Sequence, residues 1–269
     1  VTDLTVFGAG GFVGRAVVTE ARARGLNVRA VTRGDDSWRG APLGTVICTI
    51  GRTADFRTRP HETIEAHGAV LSDLLQHGRF EHFLWCSSTR VYAGVDATAE
   101  DTVLRVNPND PDQLYNISKL AGEALCLALP HPGIRVARLS NVVGPGMPAQ
   151  TFLASLMAAA NRGHIDLGQA LGSSKDYIVL GDVVRALLAL ALAPQAPRLV
   201  NIASGRNTSH QAIVQLLQQQ TGCTIRVRPD APTVTFPAID TTRLRRIDAA
   251  PMADVLAFLA QDHGPAVAA

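Results

Sequence analysis

Short runs of β-branched and aliphatic residues alternate along the chain with longer stretches in which apolar positions recur every three or four residues. The first run, Leu4-Thr5-Val6-Phe7, reads as a buried strand, and Val17, Val18 and Ala21 then share one face of a helix over 15–24 that Gly25 would close. The pattern next gives strands over 26–32 and 46–50, a helix over 59–77 with Ile64, Leu71, Leu74 and Leu75 on its apolar side, and a strand over 80–86. After a polar loop over 93–110 come a helix over 111–129, a strand over 135–139 and a helix over 151–161. Residues 165–174 read as loop with short extended pieces, 177–180 as a strand, 182–193 as a helix, 199–202 as a strand, 210–221 as a helix capped by Gly222, and 254–260 as a last helix. Strands and helices in alternation predict an α/β chain with a doubly wound parallel sheet. Between Arg33 and Thr45 only a short polar stretch occurs, so the second crossover of such a sheet must be cut down.

At 269 residues the chain can bury a substantial core, and the pattern divides it into a sheet domain, 1–142 with 176–203, and a smaller lobe, 143–175 with 204–269. No internal repeat occurs, and the Ala-rich final residues are the sole biased tract. Lys and Arg number 25 against 23 Asp and Glu, with no basic block and no aromatic-plus-basic run, which argues against a nucleic-acid partner. Cys48, Cys86, Cys126 and Cys223 form no C-x-x-C and no metal-ligand grouping; they read as reduced core thiols, and no metal site is expected. The chain opens on a strand rather than on a charged and then apolar leader, and its most apolar run, 183–193, is too short to span a bilayer and carries Arg185. The expectation is a soluble, cytoplasmic protein without a membrane partner.

Gly8, Gly11 and Gly14 follow the first strand at intervals of three. A backbone that turns sharply out of a strand and approaches a pyrophosphate needs positions without a Cβ, and the helix that begins there offers free N–H groups to the phosphates. Val13 stands where G-x-G-x-x-G needs glycine, so the spacing is the G-x-x-G-x-x-G variant of the same device, and it predicts a dinucleotide ligand. At the end of the second strand an acidic residue would grip the adenosine ribose; here Arg33 follows Thr32, which suits a 2′-phosphate. NADP is therefore expected, with NAD as the alternative if Asp35 or Asp36 reaches the ribose.

Tyr115 and Lys119 stand four residues apart, on one face of the helix over 111–129. Moving a phenol from about 10 to about 7 takes roughly 4 kcal/mol of preferential stabilisation of its anion, which a cation in a dry pocket can largely supply. Ser87-Ser88-Thr89 stands at the carboxyl end of a buried strand, where a hydroxyl can meet the same substrate oxygen.

Five motifs in order, Gly8-x-x-Gly11-x-x-Gly14, Ser87 to Tyr92, Tyr115-x-x-Ser118-Lys119 with Glu123, Arg138 to Gly146, and Lys175-Asp176-Tyr177-Ile178 leading to Asp182-Val183, resemble the extended short-chain dehydrogenases/reductases. The likeness is to the NAD-dependent epimerase/dehydratase branch, which modifies nucleotide sugars. It implies a Rossmann core with a small C-terminal substrate-binding lobe. It also implies that Ser88 polarises the substrate oxygen, that Tyr115 is the general acid/base, and that Lys119 lowers the tyrosine pKa while holding the nicotinamide ribose. The cofactor would lie on Gly8, Gly10, Gly11, Phe12, Val13, Gly14, Arg33, Thr49, Ile50, Tyr115, Lys119 and Leu139, with Ser140 also beside the nicotinamide. The substrate would meet Ser88, Thr89, Arg90, Tyr115, Asn141 near its diphosphate, and Lys175, where the family usually has an arginine whose bidentate fork lysine lacks. His67 stands where the family commonly has an asparagine on a water-mediated proton path; it reads either as a member of that path or as an ordinary helix residue.

Departures from the family pattern narrow the chemistry. The 4,6-dehydratases carry an Asp-Glu pair after the catalytic serine or threonine, and the C3/C5-epimerising members a cysteine; Thr89 and Arg90 supply neither. Two reactions remain: reduction of a 4-keto-6-deoxy nucleotide sugar by NADPH, as in the CDP- and dTDP-hexose 4-ketoreductases that this chain resembles in length, and 4-epimerisation with bound NAD. A non-catalytic NADP-binding module is the rival of another class, set against the joint presence of serine, tyrosine and lysine. The family often dimerises through the helices that fall here at 59–77 and 111–129, so a homodimer is expected.

Overall fold

The computed structural model describes residues 3–53 and 55–261; the Ala-rich end, 262–269, lies outside the described residues. The chain's first strand is β1 (Leu4–Phe7), four side chains all buried, as a strand covered on both faces requires. β2 (Val28–Val31) and β3 (Pro42–Cys48) flank it, with Leu4 in register with Val28 on one side and Thr45 on the other. β4 (Arg79–Ser88), β5 (Ile134–Leu139) and β9 (Leu199–Ile202) continue a six-stranded sheet of order β2-β1-β3-β4-β5-β9, every pairing parallel. Parallel neighbours need crossovers, and these place helices on both faces. α1 (Phe12–Ala23) and α6 (Leu180–Leu192) cover one face through Val17, Val18, Val183 and Leu187. The other face is covered by α2 (Pro60–Ile64), α3 (Val70–His77) and α4 (Leu114–Ala128), with Leu71, Leu74 and Cys126 packed on Phe83, Trp85 and Val136.

The shortened crossover is visible as a loop. Between β2 and β3 the chain forms neither helix nor strand, and β3 crosses to the far side of β1. Trp38 fills part of the vacated space: it is 4% exposed and meets Phe7 edge-on, ring centres 5.5 Å apart. One large ring thus covers apolar surface at the sheet's end that the missing helix would otherwise cover.

The expected helix over 59–77 is interrupted by a π turn, Glu65–Ala69, between α2 and α3. The extra residue rotates the turns before it away from the core, so Ile64 is exposed rather than on the apolar side. Such a bulge leaves no signature in apolar spacing.

A smaller lobe has its own core of Leu153, Leu156, Ile165, Tyr177, Ile213 and Leu217. It contains β6 (Asn141–Val143), α5 (Phe152–Asn161), β7 (His164–Leu167), β8 (Ser174–Val179), β10 (Asn207–Ser209), α7 (His210–Thr221) and β11 (Thr224–Val227). α7 ends in left-handed Gly222, φ 70°. The strands pair as β10-β8-β6 and β11-β7, pieces too short to stand out in the sequence. The tail adds α8 (Thr242–Ile247) and α9 (Val255–Ala260). Two segments lie across the boundary read from sequence: Tyr177 and Val179 pack in the lobe, while Leu244 of α8 is buried in the main core beside α6. Among the described residues no helix is long and apolar enough to cross a membrane.

Candidate active site

The glycine turn is built by close approach. Gly8 has φ +77°, open to glycine and strained for other residues, and a Cβ on Gly14 would lie 2.2 Å from the Gly8 carbonyl oxygen. Gly11 ends the turn, and α1 begins after it without a side-chain cap, leaving the N–H groups of its first turn for another acceptor. A cleft of about 720 Å³ runs from this turn past the ends of β2 and β3. Gly8, Gly10, Gly11, Arg33, Thr49 and Ile50 line it, as do Asp35 and Asp36. Arg33 is exposed at its wall, whereas Asp35 accepts a hydrogen bond from the Ser37 amide, which with the Ser37 hydroxyl holds its pKa below the usual carboxylate range. Of the other residues expected at a cofactor, Phe12 and Val13 start α1 half-buried, Gly14 is buried against Gly8, and Leu139 packs half-buried on the main core.

Behind Gly51 of the cleft wall stand the three predicted catalytic residues, each from a different place. Ser88 ends β4, Tyr115 opens the first turn of α4, and Lys119 follows one turn later. Tyr115 is 4% exposed and Lys119 3%. Gly51, in the cleft wall, brings Lys119 next to the cleft: a Cβ there would lie 3.2 Å from Lys119 Nζ. The ammonium donates to the Cys86 carbonyl at 2.9 Å and stands 4.7 Å from the centre of the Trp85 ring. Among the described residues no carboxylate bonds to it, and burial pushes its pKa down to about 8.

The electrostatics of Tyr115 differ from the sequence expectation. Burial pushes the phenol pKa up, offset in part by the Ser88 hydroxyl and the Arg90 charge. Lys119 lies 5.9 Å from the ring centre and is turned toward Cys86, so in the protein alone it does not dominate. Arg90 lies 5.6 Å from the same ring centre and 4.9 Å from that of Phe56, a fully buried ring that itself packs 5.6 Å from Tyr115. Neither Phe56 nor its stacked neighbour Arg57 was singled out in the sequence; an aromatic inside a charged loop was the one available signal.

His67 is fully buried in the π turn and locks the cleft wall to α4. Its Nε2 accepts the Arg52 amide at 3.2 Å, while Nδ1 lies 2.8 Å from Ser118 Oγ, whose own proton goes to the Tyr115 carbonyl at 2.8 Å. That network assigns the proton to Nδ1 and leaves the ring neutral. Burial, helped by Lys119, pushes its pKa down to about 3. α4 comes close here because Gly122 has no side chain; a Cβ would lie 2.4 Å from the Trp85 ring.

On the expected substrate side, Ser88 Oγ accepts the Arg90 amide at 3.2 Å and Thr89 is buried behind it. Asn141 is exposed, its side-chain amide donating to the Asp176 carbonyl at 2.8 Å. Lys175 stands 4.9 Å over the Phe152 ring, its pKa lowered by burial and by Arg90. His210, missed in the sequence, stacks on the Phe152 ring itself, centres 4.5 Å apart. Ser140 does not face the cleft: its hydroxyl bonds to Asp176, which also holds Ser204 and the Arg206 amide. Glu123 and Arg138, quoted among the motifs, form a buried ion pair of 2.6 Å that also takes in Ser87 and Tyr92; they fix the strand ends beneath the site.

The NAD dependent epimerase/dehydratase family model matches residues 4–203. The chain belongs to this family. Within the epimerase/dehydratase family it is similar to GDP-6-deoxy-D-mannose reductase of Pseudomonas aeruginosa, with 30% identity over 202 residues, 68% of this chain and 64% of that one. Matches to curated relatives span 46–64% of their lengths. Among solved structures, MoeE5 in complex with UDP-glucose and NAD superposes with TM-score 0.76 at 24% identity, covering 94% of each chain. RMD from Pseudomonas aeruginosa complexed with NADPH gives TM-score 0.76 at 22% identity over 94% of this chain and 95% of that one. These two are likenesses of fold, and they agree with the Rossmann sheet and lobe seen here.

Proposed function

We propose that the chain is an NADPH-dependent reductase of a 4-keto nucleotide sugar, the 4-keto-6-deoxy form being the one suggested by sequence. What supports this reading is that Ser88 bonds to Tyr115 and that Lys119, one turn on, lies behind Gly51 in the wall of the cleft that begins on the glycine turn. The turn suits a dinucleotide: its Cβ-free positions and uncapped helix start match a pyrophosphate, and Arg33 suits a 2′-phosphate. Bound NADPH would supply the hydride. Ser88 would hold the carbonyl oxygen, and Tyr115, kept protonated by its burial, would deliver the proton to the forming alkoxide. Lys119 would hold the ribose from beneath. A reductase is also the activity named for the relative in Pseudomonas aeruginosa, and the absence of an acid pair at Thr89 and Arg90 speaks against dehydration.

Asp35 and Asp36 in the same cleft favour a second reading, 4-epimerisation with bound NAD. The exposed flanks of α3 and α4, with Ser72, Ala121 and Ala124, support a homodimer through these helices. Fluorescence titration with NADPH and NADH, followed by incubation with 4-keto-6-deoxy and 4-hydroxy nucleotide sugars, tests the reading. Oxidation of NADPH by the keto sugar is expected. Interconversion without net cofactor use would make the chain an epimerase, and cofactor binding without turnover on any of them would refute both.

A further inference from the structure

Arg90 sits half-buried in the 3₁₀ turn Thr89–Tyr92, and a guanidinium so placed ordinarily meets a carboxylate. Here its polar acceptor is the Asp112 backbone carbonyl at 3.3 Å, while the Asp112 carboxylate is bonded to Arg57. Its remaining neighbours are aromatic faces, Phe56 at 4.9 Å and Tyr115 at 5.6 Å, both within the reach of a cation–π contact. Among the described residues no carboxylate bonds to it; the charge is partly withdrawn from water and lies beside the Tyr115 ring.

We propose that Arg90 is a positioning residue for the Tyr115 proton, its unpaired guanidinium stabilising the phenolate left when Tyr115 gives that proton up. The groups around Tyr115 are the Ser88 hydroxyl from β4, Arg90 from the turn, Phe56 from the loop after β3, neutral His67 from the π turn, and Lys119 from α4 itself. Arg57, Asp110, Asp112 and Lys175 act on this set through Arg90. Two of the inner groups are cations, and they differ in kind. Burial lowers the Lys119 pKa, so its charge is the first to go as pH rises, whereas an arginine keeps its proton wherever the fold survives. Arg90 thus holds the phenol's acidity in alkaline solution, where Lys119 no longer contributes.

This inference rests on Tyr115 as general acid, and its test needs neither cofactor nor sugar. The chain has three tyrosines, so biosynthetic replacement by the more acidic 3,5-difluorotyrosine gives three ¹⁹F resonances, and the one lost in Tyr115→Phe is assigned. At about 6 Å in a partly wet site, Arg90→Gln should raise the Tyr115 midpoint by roughly one pH unit, with Arg90→Lys falling between the two. Circular dichroism checks that both variants fold, and Arg90→Lys preserves the test if the glutamine variant does not. An unmoved midpoint in the folded variants overturns the proposal. That result is distinct from a failure to reduce keto sugars, which would leave the titration intact.

Discussion

Replacing Lys119 by methionine should remove function without weakening the fold, and its signature is a stability difference that depends on pH. Burial lowers the ammonium from its ordinary 10.5 to about 8, which at about 1.4 kcal/mol per pH unit is a burden of about 3 kcal/mol on the folded state at neutral pH. Methionine keeps the length of the stem but loses the 2.9 Å bond to the Cys86 carbonyl and the contact with Trp85. Those losses together are worth about 1–3 kcal/mol, so at pH 7 the variant should be as stable as the parent or slightly more so. Below pH 8 folded and unfolded parent both hold the proton, and the burden is complete. From 8 to 10.5 the folded chain releases it while the unfolded chain keeps it, so the parent gains stability as pH rises. Between pH 7 and 9.5 the parent should therefore gain about 2 kcal/mol relative to Lys119→Met. The Cys48 and Cys86 thiols, pushed up by burial to about 11 and 12, are common to both proteins and largely cancel. Urea unfolding followed by circular dichroism at each pH measures the difference. Parallel curves would show that the Lys119 charge is not suppressed by burial, and the reasoning about this site would fail with them.

Tyr115→Phe should keep NADPH affinity while turnover falls roughly 100- to 10,000-fold, read by stopped-time NADPH oxidation. Gly14→Ala sets a methyl 2.2 Å from the Gly8 oxygen, and should destabilise the fold by about 3 kcal/mol or abolish cofactor binding in calorimetry. Arg33→Ser should weaken NADPH binding by about tenfold or more and leave NADH binding unchanged. His67 resists protonation down to about pH 3, so the folded state loses stability as pH falls below 6.5; His67→Gln should lose about 2 kcal/mol less between pH 6.5 and 5.

The sheet was legible because its strands are buried on both faces: Leu4–Phe7 and Leu199–Ile202 fall where continuous apolar runs place them. The glycine turn was legible for a steric reason, since three missing Cβ atoms at fixed spacing have few other uses. Ser88, Tyr115 and Lys119 could be picked out by type and spacing, but not the direction of the Lys119 ammonium, which depends on a carbonyl in another strand. Phe56, Arg57 and His210 were invisible because their importance comes from neighbours far away in the chain. The direction of the Ser140 hydroxyl was hidden for the same reason: it is set by Asp176, 36 residues on. The π turn was hidden too, since one extra residue in a helix changes no composition and no local propensity.

The loop that replaces a crossover beside β2 bears on how long a coenzyme stays. With Trp38 below and Arg33 alongside, the end of the groove beside β2 is walled by ten or so residues of loop rather than by a rigid helix. A wall of that sort can yield sideways, so the tenure of a dinucleotide would be set chiefly by its phosphates, on the glycine turn and at Arg33. Exchange should then quicken with ionic strength, as the proposed reductase, trading spent coenzyme for fresh at each turnover, would require.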